Sequence, residues 1–502
     1  MSFLFNVFLI IFLFISIFSI IDFSSCIVVF PFEITNQHLE MIQEKYDTMS
    51  YLNSYSLYTN ISIGNPPQQI KSFIKFDKSG FNIPDNAYIH NKSNTYKRLS
   101  ENAKIYDEIE YNGTFSSDDI TFINIDSNEF NKILQNNNNL HDKKYQKVYH
   151  NISFINKLTD EIGYKNYGYI GLKFPDKNKN DIINVIPLLK EKDIINNYAW
   201  TLLFEQKNEN NIYTIDSFSK IKGNLIVGDE LYNYYPMKYM SNISYNITMN
   251  IRNGLLNWDI EFSNIYIKNS KLYIASNVEM RPDLSLNYGS LAFKLNLDIQ
   301  VFSDLFKESI CQVKNMSLYP NIMYYTCDTS KKGSNNLIFD LKQFPNIIFE
   351  HKRLGGNFTL NYKDLFIQDN KNKNIYYFIF VFDRNKLFNL KEDRFILGIK
   401  FFEKFQFEFD NDKKLIRYYD ILVDNNNKIK QNYNKKNKNY KIIVIIGLIV
   451  ILGILLFVLG MMFQRKIIKI PRKMRANELD EDYEYKAKND EQNEDVRLGI
   501  NE

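Results

Sequence analysis

The chain has 502 residues, of which 45% are apolar and 24% charged, and its formal net charge is +4. A chain of this length and composition holds enough apolar side chains for a large core. So weak a net charge gives no concentrated basic face of the kind that binds nucleic acid. The sequence contains neither a zinc-type cluster of Cys and His nor a glycine-rich phosphate loop, so we expect no metal and no organic cofactor.

The chain begins with an apolar segment, residues 3–21, that consists almost entirely of Phe, Leu, Ile and Val. Ser24, Ser25 and Cys26 follow it, as small residues follow the apolar region of a signal peptide. The basic residues that usually precede such a region are missing, and the apolar run is long. Residues 1–26 are therefore predicted to be either a signal peptide or an uncleaved signal anchor.

The body of the chain, residues 51–419, has short apolar or alternating runs that are separated by Gly, Pro, Asn and Asp. Examples are residues 58–64, 72–76 and 405–409, and this spacing is typical of β-strands joined by turns. Helices are predicted at 185–197 and 301–309. The pattern alone predicts a large, mostly β domain.

Cys311 and Cys327 lie sixteen residues apart and are the only cysteines of the body. In a secreted domain such a pair indicates one disulfide. The alternative is two unpaired thiols in the core. The N-terminal segment favours the disulfide, because it directs the body to an oxidising compartment.

A second apolar segment, residues 442–463, contains no charged residue and follows a polar stalk at 421–441. As a helix it is long enough to cross a hydrocarbon core of ~30 Å. Basic residues follow it at once, as on the cytosolic side of a membrane, but lysines also precede it, so the orientation depends on the N-terminal signal. We predict a single-pass type I membrane protein of the secretory pathway or cell surface. Its body is then lumenal or extracellular, and residues 464–502 are a cytosolic tail.

Seven segments of the body resemble, in the same order, motifs of the pepsin-like aspartic proteases. They are residues 58–68, 76–80, 168–172, 223–228, 258–260, 395–402 and 407–410. Cys327 and the tyrosines before it, taken with Cys311, are similar to the second-lobe disulfide, most closely that of plasmepsins. The resemblance implies a mostly β, two-lobed pepsin-like acid-protease fold, to which the apolar segment at 442–463 adds a C-terminal transmembrane helix.

The resemblance also implies the organisation of the body. It predicts an N-terminal β lobe at 51–230 and a C-terminal β lobe at 231–420, with a peptide-binding cleft between them that a β-hairpin flap closes. Residues 27–50 are then a pro-like segment, short for the inhibitory prosegment of this family. The implied partner is a peptide or protein in the cleft, besides the membrane at 442–463, and no nucleic acid.

Aspartic proteolysis needs two carboxylates a few ångströms apart that share one proton and titrate as a unit. In the family each aspartate begins an Asp-Thr/Ser-Gly motif. Asp77 matches the first aspartate, but Lys78 and Ser79 replace the residues that follow it, and Gly80 offers compensation by a shift of one residue.

The second motif is matched to residues 284–292, which place Asn287 at the aspartate position and keep Gly289 and Ser290. An asparagine amide cannot accept or share the proton, so activity is expected to fall by more than the ~10²–10⁴-fold of one acid–base group. Asp283 lies four residues upstream, roughly 13 Å along a strand, and is a poor substitute.

The flap motif departs from the family as well. Counting back from its return strand places the flap tyrosine at Tyr106, with Tyr111 as the alternative, and acidic residues replace the glycines of the tip.

The sequence leaves three candidate functions: a pseudopeptidase whose cleft binds peptide or protein, a divergent active aspartic endopeptidase, or a structural or adhesive ectodomain. The substitutions at the motifs favour the pseudopeptidase.

Overall fold

The computed structural model describes residues 26–36, 46–106, 110–126, 129–130, 133, 143–157, 167–173, 184–205, 212–230, 239–246, 258–267, 270–333, 339–354, 356–384 and 395–421. The chain divides into two compact units, Met1–Leu422 and Val423–Glu502, and the described residues all belong to the first. Within these ranges no helix is long and apolar enough to cross a membrane. The predicted segments 3–21, 442–463 and 464–502, and residues 422–441 of the stalk, lie outside the described residues.

Strands dominate the described residues, which confirms the prediction of a mostly β protein. In chain order they are β1 (Cys26–Asn36), β2 (Tyr55–Ile63), β3 (Gln68–Lys75), β4 (Phe81–Pro84), β5 (Lys97–Tyr106), β6 (Glu110–Asp126), β7 (Gln146–Lys157), β8 (Gly168–Gly171), β9 (Ala199–Phe204), β10 (Tyr213–Thr214), β11 (Lys222–Val227), β12 (Tyr239–Asn246), β13 (Asp259–Ile267), β14 (Ser270–Met280), β15 (Asn287–Gly289), β16 (Cys311–Asn315), β17 (Ile322–Asp328), β18 (Ile347–His351), β19 (Gly356–Leu360), β20 (Phe366–Gln368), β21 (Ile375–Phe378), β22 (Phe380–Asp383), β23 (Phe395–Leu397), β24 (Gln406–Asp410) and β25 (Leu415–Ile421).

The helices are short and lie between the strands. They are α1 (Thr48–Asn53), α2 (Val185–Glu191), α3 (Ile215–Phe218), α4 (Leu291–Leu297), α5 (Ser303–Lys307), α6 (Tyr362–Leu365) and α7 (Ile399–Lys404). The helix predicted at 185–197 is shorter than expected, whereas the helix predicted at 301–309 is the end of a longer helical run, since a π-helical segment, Asp298–Phe302, joins α4 to α5. A residue with a left-handed backbone follows the end of each. Asp193 (φ 54°) follows α2 and Ser309 (φ 55°) follows α5.

The strands form two large sheets. The first has the order β12-β25-β24-β9-β11-β1-β2-β3-β8-β4-β7-β6-β5, and the second has the order β10-β20-β21-β17-β22-β15-β23-β14-β13-β18-β19. The first sheet therefore contains strands from both predicted lobes, since β12, β24 and β25 come from residues after 231. Residues 26–36, assigned to the signal and pro-like segments, form β1 between β11 and β2, so this part of the segment is built into the sheet.

The predicted disulfide between Cys311 and Cys327 is confirmed. The two residues are directly opposite each other in the antiparallel pair β16–β17. Adjacent antiparallel strands bring such Cβ atoms close enough for a bridge.

An aromatic cluster supports the loop that follows β3. Trp200 stacks on Phe409 with ring centroids 4.1 Å apart, and Phe76 and Trp258 contact Trp200 edge to face at 4.9 and 5.4 Å. Such pairs add ~0.5–1.5 kcal/mol each beyond their burial. Because Phe76 directly precedes Asp77, this cluster fixes the position where the predicted site begins.

Candidate functional site

Asp77 lies in the loop between β3 and β4, and β8 holds this loop in place. The amide of Gly171, the last residue of β8, donates to the carbonyl of Gly80 at 2.7 Å. A Cβ atom at Gly171 would lie 2.5 Å from the carbonyl oxygen of Lys78. Only glycine lets the strand approach the loop this closely.

Gly80 completes the same loop in a conformation that favours glycine. Its φ is +105°, and its amide donates to the Asn184 side-chain oxygen at 2.5 Å. A residue with a side chain is disfavoured at such a φ. Gly80 is therefore a structural residue that shapes the loop around Asp77.

A loop of the same construction follows β14 in the second sheet. The amide of Arg281 donates to the carbonyl of Leu397 at 2.9 Å, and the amide of Leu284 donates to the carbonyl of Arg281 at 3.0 Å. A Cβ atom at Gly398, directly after β23, would collide with the carbonyl oxygen of Leu284. Gly398 thus has the role here that Gly171 has in the first sheet.

The strands around the two loops have one pairing pattern. β3 pairs in parallel with β8, β8 pairs antiparallel with β4, and β4 pairs in parallel with β7. In the second sheet β14, β23, β15 and β22 repeat this order and these directions. Asn82 is the residue of β4 that faces both neighbours, and Tyr288 is the corresponding residue of β15. Counting back five residues from each reaches Asp77 and Asp283.

By this register Asp283 is the counterpart of Asp77 in the second sheet, and Asn287 is the first residue of β15. The partner of Asn82 in β8 precedes Gly171 by two residues, and the partner of Tyr288 in β23 precedes Gly398 by two residues, which supports the same alignment. Motif spacing in the sequence does not report this register, because the register depends on which strands pair.

Arg281 joins the two aspartates. Its Nε donates to Asp283 Oδ1 at 2.8 Å, and its Nη2 donates to Asp283 Oδ2 at 2.9 Å. The same Nη2 lies 3.1 Å from Asp77 Oδ2, and Nη1 lies 3.5 Å from Glu279 Oε1. The expectation that Asp283 is too remote to act at this site is therefore wrong, since both carboxylates contact one nitrogen atom.

The cluster is buried on one side and open on the other. The Arg281 side chain is 9% exposed and that of Asp283 is 0% exposed, whereas that of Asp77 is 37% exposed. Asp77 Oδ1 is itself buried and has no hydrogen-bond partner among the described residues. A buried charge needs a paired, hydrogen-bonded partner, and the bidentate contact between Arg281 and Asp283 provides it.

Charge around Asp77 favours its ionised form. Burial by itself raises the pKa of Asp77, but the positive charges of Arg281, Lys75 and Lys78 together lower this pKa below its ordinary value. Burial likewise lowers the pKa of Arg281, and Asp283 and Asp77 raise it well above the ordinary value. The guanidinium therefore stays charged, and the carboxylate of Asp77 stays ionised down to an unusually low pH.

A second contact ties the sheets together beside this cluster. Lys75 Nζ donates to Ser56 Oγ at 3.2 Å, and Ser56 Oγ donates to the backbone carbonyl of Asp283 at 3.2 Å. Ser56 has no exposed surface, and Lys75 is 8% exposed. The first sheet therefore positions the loop of Asp283 as well as that of Asp77.

The other residues predicted from the second motif have structural roles. The Asn287 side-chain oxygen accepts a 2.7 Å hydrogen bond from the amide of Gly398, and Nδ2 of Asn287 is buried without a partner among the described residues. Gly289 is buried where a Cβ atom would lie 2.7 Å from the Phe293 ring. Ser290 caps α4 by accepting from the amide of Phe293 at 3.1 Å.

Tyr106 lies at the end of a hairpin, as predicted for a flap. It is the last residue of β5 and pairs with Glu110, the first residue of β6. Residues 107–109, the predicted tip, lie outside the described residues. The alternative, Tyr111, is on β6 opposite Ile105.

The sequence contains a signal for the cluster that was missed. A cation stands two residues before each aspartate, in Lys75-Phe76-Asp77 and in Arg281-Pro282-Asp283. The two triplets occupy the same place in the two sheets, where β3 and β14 end. Comparing these two triplets would have paired Asp283 with Asp77.

Neither a protein-family model nor a curated protein matches this chain. The resemblance to pepsin-like aspartic proteases therefore stays a prediction from the sequence motifs.

Changing Asn287 to Asp is expected to lower stability without producing proteolysis. The new carboxylate would be buried, since Asn287 is 1% exposed, and burial raises the pKa of a carboxylic acid. The folded protein would then bind more protons than the unfolded chain, so the loss should be about 1–3 kcal/mol at pH 7 and smaller toward acid pH. Thermal unfolding of the full-length variant in detergent checks this, with the exposed Asn94→Asp as the matched control. A variant that cleaves peptides would contradict the placement of Asn287.

Proposed function

We propose that this chain is a membrane-anchored aspartic-protease-like ectodomain with a two-lobed pepsin-like fold, whose cleft binds peptide or protein without cutting it. The observation that carries the proposal is the contact of the Arg281 guanidinium with both Asp77 and Asp283. The loops of Asp77 and Asp283 match, because each follows a strand and packs against a glycine, Gly171 or Gly398. This repeat supports the two-lobed fold.

The bridging arginine is incompatible with the acid–base chemistry of an aspartic dyad. That chemistry requires one proton between two carboxylates, so that one takes a proton from water and the other donates a hydrogen bond to the scissile carbonyl. The guanidinium lowers the pKa of Asp77, and by contacting both carboxylates it occupies hydrogen-bonding positions that water and substrate would need. The expected result is a site without turnover.

The exposed part of the site supports ligand binding. The Asp77 side chain is 37% exposed, and the β5–β6 hairpin ends at Tyr106. Extended peptides bind such clefts through backbone hydrogen bonds and side-chain pockets. A peptide or protein segment is therefore the proposed ligand.

Incubating the purified full-length protein, in detergent, with a library of unstructured peptides from about pH 4 to 7 tests the proposal, since this range includes the pH at which carboxylate dyads share a proton. We expect no cleavage that differs from that of an Asp77→Ala control. Pepstatin-sensitive cleavage that the Asp77→Ala change abolishes would overturn the proposal. It would favour the second candidate, a divergent active aspartic endopeptidase, which the presence of two carboxylates at the site supports.

The location follows from the apolar segments and is proposed on them alone. Residues 442–463 cross the membrane, the body is lumenal or extracellular, and residues 464–502 are cytosolic. Protease treatment of sealed microsomes should then remove only the tail. Degradation of the body in sealed vesicles would exclude this topology.

A further inference from the structure

Asp77 and Asp283 occupy equivalent positions of two matching loops and contact the same nitrogen of Arg281. We infer that they form a carboxylate dyad that the Arg281 guanidinium blocks, and that Arg281, not the loss of an aspartate, prevents acid–base chemistry at this site. This inference rests on the proposed function and names what controls it.

The groups that face the dyad show why one residue decides its state. Lys75 and Lys78 act on Asp77 from its own strand and loop, and Glu279 and Tyr288 lie near Arg281 from β14 and β15. Arg281 contacts both carboxylates directly, since its Nη2 lies 3.1 Å from Asp77 Oδ2 and 2.9 Å from Asp283 Oδ2. Without it, two neighbouring carboxylates, of which that of Asp283 has no exposed side-chain surface, would favour sharing one proton over ionising together.

The first sheet has a cation at the position equivalent to Arg281. Lys75 stands two residues before Asp77, and its ammonium group donates to Ser56 Oγ, which in turn donates to the backbone carbonyl of Asp283. The lysine therefore makes a single-point hydrogen bond to a neutral group beside the dyad. The bridge depends on the length and the planar fork of arginine, which can bind two carboxylates at once.

Replacing Arg281 by methionine, which is apolar and of similar length, tests the inference in the full-length protein. At about pH 4.5, where a proton-sharing pair forms, pepstatin should bind Arg281→Met at least about 100-fold more tightly than the unchanged protein. Its central hydroxyl group can hydrogen-bond to a carboxylate pair that shares a proton. Binding should weaken as the pH rises and the pair loses its proton. Isothermal calorimetry measures both effects.

Two further variants distinguish pepstatin binding by a carboxylate dyad from binding that results only from a looser cleft. Arg281→Lys keeps the positive charge but lacks the planar fork that binds two carboxylates, so it should bind pepstatin more tightly than the unchanged protein and less tightly than Arg281→Met. Arg281→Met combined with Asp283→Asn has no dyad and should lose the binding gained by the single variant. Tight binding by the double variant, or equal binding by Arg281→Lys and Arg281→Met, would overturn the inference.

Folding of the variant gives an independent readout. Because the pair takes up a proton on folding, Arg281→Met should unfold at a higher temperature at about pH 4.5 than at pH 7, whereas the unchanged protein should show the opposite order. If Arg281→Met fails to fold even at acid pH, or folds there without binding pepstatin, the inference is wrong. Cleavage of peptides by the unchanged protein would instead overturn the proposed function, so the two failures are distinguishable.

Discussion

Replacing Asp283 by asparagine is expected to destabilise the protein by about 3–5 kcal/mol at pH 7, the usual cost of removing one partner of a buried ion pair. The Asp283 side chain has no exposed surface and accepts from both Nε and Nη2 of Arg281. An asparagine side chain has one acceptor oxygen, and its NH₂ group would face the donors of the guanidinium. Thermal or denaturant unfolding of the full-length protein measures the change.

Asp77 provides the internal comparison for this prediction. It contacts the same arginine at 3.1 Å, but its side chain is 37% exposed. Water screens such a pair, so Asp77→Asn should cost only about 1 kcal/mol. Asp304→Asn, in a pair whose side chains are 77% and 74% exposed, should have no measurable effect. Equal losses for Asp77→Asn and Asp283→Asn would contradict the asymmetric burial described above.

Replacing Arg417 by methionine is expected to lower the free energy of unfolding by a similar amount, about 3–5 kcal/mol at pH 7. Arg417 lies on β25, with a side chain 4% exposed, and its Nη2 donates to Asp410 Oδ2 at 2.7 Å while Nη1 contacts Glu408. The Tyr419 hydroxyl donates to the other oxygen of Glu408 at 2.7 Å. Without the guanidinium, two buried carboxylates on β24 would lose their main counterion.

Two changes should restore part of the stability that Arg417→Met loses. Stability should rise as the pH is lowered, because unpaired buried carboxylates have raised pKa values and take up protons on folding. Adding Glu408→Gln should recover part of the loss at pH 7, because it removes one uncompensated charge and keeps an acceptor for Tyr419. If Glu408→Gln makes the Arg417→Met variant less stable, the loss comes from packing and not from charge.

The two arginines show how a site and a structural network differ although their chemistry is alike. In the Arg417 network the two carboxylates closest to the guanidinium, Glu408 and Asp410, are 0% and 3% exposed, and a third, Glu230, is 21% exposed. The Arg281 cluster has a more exposed carboxylate, at Asp77. A ligand has better access to the Arg281 cluster, which is why we propose function only for the cluster around Asp77.

Local pattern in the sequence was sufficient for part of the structure. The alternation of residues 58–64, 72–76 and 405–409 predicted β2, β3 and β24, because successive side chains of a strand point to opposite faces. Cys311 and Cys327 were predicted to pair, and the β16–β17 hairpin places them opposite each other. These features depend on residues that are close in the chain.

The composition of the site was decided by tertiary structure. Asn287 and Asp283 are four residues apart, and only the pairing of β15 with β22 and β23 determines which of them is equivalent to Asp77. Arg281 reaches Asp77 across more than 200 residues of sequence, and that contact exists because two sheets place their loops side by side. Motif spacing cannot report strand register or which charges are buried together, since both follow from long-range pairing. The sequence therefore identified Asp77 as a candidate, and the fold determined that Arg281 contacts both Asp77 and Asp283.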